Sequence, residues 1–238
     1  LELNTSFTGK DLLKTRLRAG NFGDSPFGGY GYVGLDALEV GDWPTYDHLV
    51  VDRLWYQFPL GEEFTVTFGG IVRQDDMLAV WPSAYPEVTI LDLFTYAGAP
   101  GAYSATLGGG GGIWWIKNNW SISVSYVSAN ADNGSPNREI FMDEDNDSLP
   151  WPGGLANNAS ASNGTAQIAY ADERWGVAAA YSYTSGDNFV GLYPGNATPL
   201  AVAAAGMGTT SAYGVSAWWA PEESGWFPCI SAGWGYNN

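Results

Sequence analysis

Few side chains in this sequence could do covalent or metal chemistry. His48 is the only histidine; it stands beside Asp47 in loop-like sequence, and any Ser–His relay would have to run through it. A single histidine also rules out a His-rich metal cluster. The single cysteine, Cys229, excludes an internal disulfide; in the strand-like run FPCISAGW it reads as a small hydrophobe rather than a nucleophile. Acids are plentiful. The run 143–147 sets Asp143, Asp145 and Asp147 at alternate positions, as a calcium loop does. It lacks the central glycine and the closing glutamate of an EF-hand, so weakly bound calcium is the most it supports, and an acidic exterior loop is the default. A paired-carboxylate hydrolase would find acids here, and tryptophans to stack on sugars, but nothing raises two particular carboxylates above the rest. NAS at 158–160 and NGT at 163–165 match the glycosylation pattern, a cheap match. The sequence reads as that of a non-enzyme with no cofactor beyond weakly held calcium.

The element that organises the chain is 111–129, GGIWWIKNNWSISVSYVSA. Two strands are expected around a tight turn at Lys117–Asn118–Asn119. In the second, Trp120, Ile122, Val124 and Tyr126 alternate with Ser121, Ser123 and Ser125, the period of a pleated strand between two unlike surroundings. Aromatics stand at both ends of the apolar row and aliphatics in the middle, while the other row is hydroxyls. A membrane barrel calls for this arrangement, with lipid outside and water inside.

Four further hairpins are expected: 3–9 with 15–21, 50–58 with 63–72, 165–171 with 174–183, and 212–220 with 226–236. The glycine run 108–112 reads either as a hinge or as a strand against which a neighbouring loop packs closely. Connections alternate between roughly 2–6 and roughly 25–35 residues, the asymmetry of outer-membrane barrels. The expectation is an all-β fold: a transmembrane antiparallel β-barrel of the porin type, about ten strands being visible of a larger barrel. The whole of 1–238 reads as one such domain, and an incomplete one, because both ends look cut through a barrel.

Charge agrees with a channel. The 238 residues carry 25 acids against 9 lysines and arginines, a formal charge of −16. That speaks against nucleic acid and against docking on anionic lipid; it favours cations. The polar rows give the pore-lining set Arg16, Arg18, Arg53, Glu63, Thr65, Thr67, Ser121, Ser123, Ser125, Gln167 and Arg174. Arg53 and Glu63, across one short turn, could equally pair with each other. If the connection 72–105 folds inward, Asp75, Asp76, Glu87 and Asp92 set a constriction; otherwise they are solvated loop charges.

Three stretches carry a family resemblance: LNTSFTGKDLLKTRLRAGNF at the start, DRLWYQFPLGEEFTVTFGG, and WSISVSYVSANA after the glycine-rich strand. They resemble cyanobacterial outer-membrane porins of the carbohydrate-selective (OprB-like) type, some described as iron-uptake porins. The resemblance implies a sixteen-stranded barrel assembled as a homotrimer in the cell outer membrane, in contact with its lipid. It also implies passive diffusion of small hydrophilic solutes and inorganic ions, and attachment to peptidoglycan-linked polysaccharide through a region absent here. Two other readings stand beside it: a secreted all-β carbohydrate-binding or glycoside-hydrolysing domain, and a structural outer-membrane anchoring protein.

Overall fold

A computed structural model describes residues 1–20, 48–86, 95–99, 101–104, 106–133, 153–185, 209–223, 226 and 228–238. These residues form ten strands: β1 Glu2–Thr5, β2 Leu12–Arg18, β3 Val50–Leu60, β4 Phe64–Arg73, β5 Leu107–Lys117, β6 Trp120–Ser128, β7 Ser162–Ala171, β8 Trp175–Thr184, β9 Thr210–Trp219 and β10 Ile230–Asn237. Each pairs antiparallel with its neighbours in sequence, giving one sheet of order β1 to β10.

The turns follow from local chemistry. Between β5 and β6, Asn118 and Asn119 take φ of 50° and 69°, the left-handed pair that a two-residue hairpin needs and that asparagine tolerates. The first hairpin closes earlier than its sequence suggests. β1 ends at Thr5 because Asp11 gathers the next residues into a turn: its carboxylate accepts hydrogen bonds from the Ser6 hydroxyl (2.9 Å), the Phe7 amide (3.1 Å) and the Thr8 amide (2.6 Å). Tyr56 on β3 donates a further one at 2.8 Å.

The glycine run lies within β5, paired on both sides, with Gly110 opposite Gly69 and Val127. A Cβ on Gly112 would come 3.0 Å from the Met77 sulfur. The bare strand therefore lets the short 3-10 helix Gln74–Met77 lie close against the sheet. From there the chain runs across one sheet face. The Ala79 amide donates to Ser123 Oγ at 2.9 Å, and the Ala84 amide to Ser231 Oγ at 2.8 Å. Two small cores form beneath this cover. Trp55, Val72, Met77 and Val127 make one; Tyr96, Ala99, Ala102, Tyr103, Ala180 and Ala212 make the other.

The strands and their antiparallel pairing are those the alternation predicts, but the closure is not. β1 pairs only with β2, β10 pairs only with β9, and the sheet is neither closed nor strongly curled. This overturns the porin-type transmembrane barrel and the resemblance that implied sixteen strands. The expectations resting on the barrel fall with it: a passive pore for ions and solutes, the outer-membrane location, contact with its lipid, the homotrimer, and attachment to peptidoglycan-linked polysaccharide. The physical reason is that closure is a pairing between the two ends of the sheet. No alternation within a strand specifies it. Among the described residues no helix is long and apolar enough to cross a membrane.

Candidate functional site

The covered face of the sheet holds most of the polar residues expected to line a pore. With the sheet open, that face does not enclose a lumen; the segment 74–84 and residues 95–99 and 101–104 lie over it. At the β2–β4 end the residues are charged. Asp52 is the hub, in ion pairs with Arg16, with Arg53 at 3.1 Å and with Arg18 at 3.8 Å. Arg53 also donates to Asp76 at 2.9 Å, and Arg73 to Asp75 at 2.5 Å. Burial pushes the Asp52 carboxyl up, but Arg53, Arg16 and Arg18 outweigh it and hold it below the usual carboxylate range. Burial, and then the neighbouring Arg73, draw the Arg53 guanidinium down. Burial, and then Asp75, push Asp76 up.

Arg53 and Glu63 do not meet. Glu63 binds Lys117 at 2.5 Å and the Trp115 indole at 2.7 Å, at the turn end of β4 and β5. Arg174 sits in the β7–β8 turn, exposed and paired with Glu222. Asp75 and Asp76 lie in the 3-10 helix, engaged by arginines rather than free to meet a solute. Glu87, Asp92 and the calcium-loop candidates Asp143, Asp145 and Asp147 lie outside the described residues. Among the described residues no group of three or more acids, histidines or cysteines is placed to hold a metal.

Toward β6–β8 the covered face turns to hydroxyls and amides. Thr67, Ser121, Ser123, Ser125, Thr165, Gln167 and Ser182 are buried, while Thr65 is half-buried. Asn163 is fully buried and donates to Ser182 Oγ at 2.6 Å and Thr184 Oγ1 at 2.9 Å. The glycosylation match at 163 is therefore locked into the sheet. Alternation does not single out Asp52, and it shows Asn163 only as a glycosylation match. The signal for Asp52 was its place in VVDRL, where an odd acid stands next to an inward arginine.

The open face is the reverse of what a strand in water usually shows. Trp120, Ile122, Val124, Ile168, Trp175, Val177, Tyr181, Tyr213, Val215, Trp219, Trp234 and Tyr236 all stand exposed on it. They fall into two aromatic rows with aliphatics between. At one end the rings of Trp120 and Tyr170 lie 5.3 Å apart, and those of Tyr170 and Trp175 5.2 Å. At the other, Tyr181 and Tyr213 are 5.1 Å apart, Tyr213 and Tyr236 6.4 Å, and Trp234 stacks on Tyr236 at 6.2 Å. Two shallow depressions mark the face. One, of about 340 Å³, lies among Phe64, Trp115 and Ile122. The other, of about 260 Å³, lies among Trp120, Tyr170, Ile168 and Val215.

No family model matches the chain. It is similar to two cyanobacterial proteins. It is 28% identical over 142 residues to the uncharacterized protein sll0772 of Synechocystis sp., covering 58% of this chain and 25% of that one. It is 31% identical over 163 residues to the uncharacterized protein alr4550 of Nostoc sp., covering 59% of this chain and 27% of that one. The chain thus spans about a quarter of the length of the curated relatives it matches.

Proposed function

We propose that this chain is a non-catalytic all-β binding module that takes carbohydrate on its open sheet face, without a cofactor. The observation that carries the reading is the pair of exposed aromatic rows, with Trp120, Tyr170 and Trp175 forming the tighter group. Contiguous exposed apolar surface marks an interaction site. An aromatic ring is apolar on its face and costs little side-chain entropy to hold still, so it suits the C–H face of a pyranose ring. The depression rimmed by Trp120 and Tyr170 gives such a ring a floor. Against catalysis stand the carboxylates themselves. On the covered face Asp52, Asp75 and Asp76 are committed to arginines, and among the described residues no acid lines either depression of the open face.

The test is retention on insoluble and soluble polysaccharides of differing linkage, by pull-down and affinity electrophoresis. The chain is expected to be retained by at least one, without releasing reducing sugar. Trp120→Ala with Trp175→Ala should abolish retention while leaving the far-ultraviolet spectrum of the sheet unchanged. Failure to bind any glycan across the set, or retention untouched by loss of both rings, overturns the proposal.

A further inference from the structure

The charged end of the covered face has more donors than acceptors. Arg16 and Arg53 stand directly opposite each other on β2 and β3. The register slips between Arg16 and Leu17, which leaves Asp52 as an extra residue in β3. A bulge re-aims a side chain, and Asp52 reaches the same face as Arg53. There its Oδ2 atom takes Arg16 Nε and, at 3.1 Å, Arg53 Nη1. One carboxylate oxygen thus holds two guanidiniums together.

The remaining nitrogens of the two forks are unevenly served. Arg53 Nε donates to Asp76 at 2.9 Å, and Arg53 Nη1 also to the Asp52 carbonyl at 2.8 Å. Arg16 Nη1 lies 3.6 Å from Glu2 Oε1. The Nη2 atoms of both arginines are buried without a hydrogen-bond partner. Two more buried donors at this end are in the same condition, Trp55 Nε1 two residues along β3 and Gln74 Nε2 in the 3-10 helix; Gln74 Oε1 is an unmatched acceptor beside the latter. Unmatched groups of this kind mark strain or a bound ion, and a charged donor costs more to leave unmatched than a neutral one. The charge on Arg53 is under-compensated as well. Burial, then Arg73 and Arg16, draw its guanidinium down, and Asp76 and Asp75 do not offset them.

We propose that the Arg16–Arg53 pair holds a small monovalent anion of chloride's size, as a fixed counter-ion beside Asp52. A ligand here must accept and not donate, and it must carry negative charge. Asp52 and Asp76 are already within reach of the same guanidiniums, so a second negative charge on the ligand would be repelled. The nitrogens are shut away from water, so the ligand must be compact. The chain as a whole is acidic, at −16, and the attraction is local to these guanidiniums. Such an ion ties β2 to β3 and, through Arg53 and Asp76, to the 3-10 helix that lies over them. The open face takes no part, so this site stands or falls apart from the carbohydrate reading.

The 238-residue chain, dialysed into gluconate and titrated with chloride at constant ionic strength, tests this. The folding equilibrium constant in urea should rise with chloride, by about tenfold for each tenfold of chloride once the site is full. The chloride NMR line should broaden with the chain present and sharpen when bromide is added in competition. Arg16→Lys keeps a cation on Asp52 and removes the fork; it should weaken both effects by about tenfold or more, the contribution of one charged hydrogen bond. Arg174→Lys, at an exposed ion pair, should leave both unchanged. Equal stability in gluconate and chloride overturns the proposal. So does line broadening that Arg16→Lys leaves intact or that Arg174→Lys removes. Should Arg16→Lys fail to fold, the titration of the parent chain and the bromide competition decide alone.

Discussion

The covered face of the sheet has two ends that solve the same problem differently. At β2–β4, guanidinium and carboxylate groups are taken from water and matched across strands, with Asp52 serving Arg16, Arg18 and Arg53 together. At β6–β8, hydroxyls and amides are taken from water; some are matched within two neighbouring strands, as Asn163 is by Ser182 and Thr184, and others by the covering segments, as Ser123 is by Ala79 and Gln167 by Tyr103. A charge left alone in a low-dielectric site costs several times what a lone hydroxyl does. The charged end should therefore be brittle, and the hydroxyl end tolerant.

Asp52→Ala is the sharpest way to break that contrast. It leaves Arg53, which is 2% exposed, with one carboxylate instead of two, and should cost about 3–5 kcal/mol in denaturant unfolding. Its pH dependence has a definite sign. The folded carboxyl titrates below its ordinary value, so its stabilising share is full above about pH 4 and is lost as the pH falls through the folded value. The Asp52→Ala variant should show a flatter acid limb than the parent. Asn163→Ala comes next, at about 1–3 kcal/mol, because it takes the donor from the buried Thr184 hydroxyl and one of two acceptors from Thr165, while Ser182 keeps its bond from Thr165. Ser121→Ala is the smallest. Among the described residues Ser121 Oγ is buried with no hydrogen-bond partner, so its removal forfeits no hydrogen bond and should change stability by less than about 1 kcal/mol. A large loss at Ser121, or a small one at Asp52, would erase the distinction between the two ends.

The same contrast shows what was legible in the sequence. SISVSYV announces a strand because each residue pays its role locally, and the hydroxyl end could be read directly from alternation. The charged end could be read only in part. Arg16, Arg18 and Arg53 fall on the polar row, but Asp52 belongs to the group through neighbours far apart in sequence, and Arg53 finds Asp76 rather than Glu63. The largest misreading has a similar cause. Aromatic–aliphatic–aromatic spacing marks the face whose described side chains stand exposed; it does not say that the sheet curls round to meet itself. The pattern alone suggests a cylinder, whereas β1 and β10 remain apart. The glycines at 108–112 were ambiguous for a related reason, since only the position of Met77 shows why bare backbone is wanted there.

The sheet order has one more consequence. Among the described residues every strand is hydrogen-bonded to the strands immediately before and after it in the chain, and to no others. Such a meander has no crossover that must be threaded, so whole hairpins can be duplicated or deleted at the genetic level without scrambling the remainder. Width, in a fold of this kind, is a quantity that descent can adjust two strands at a time.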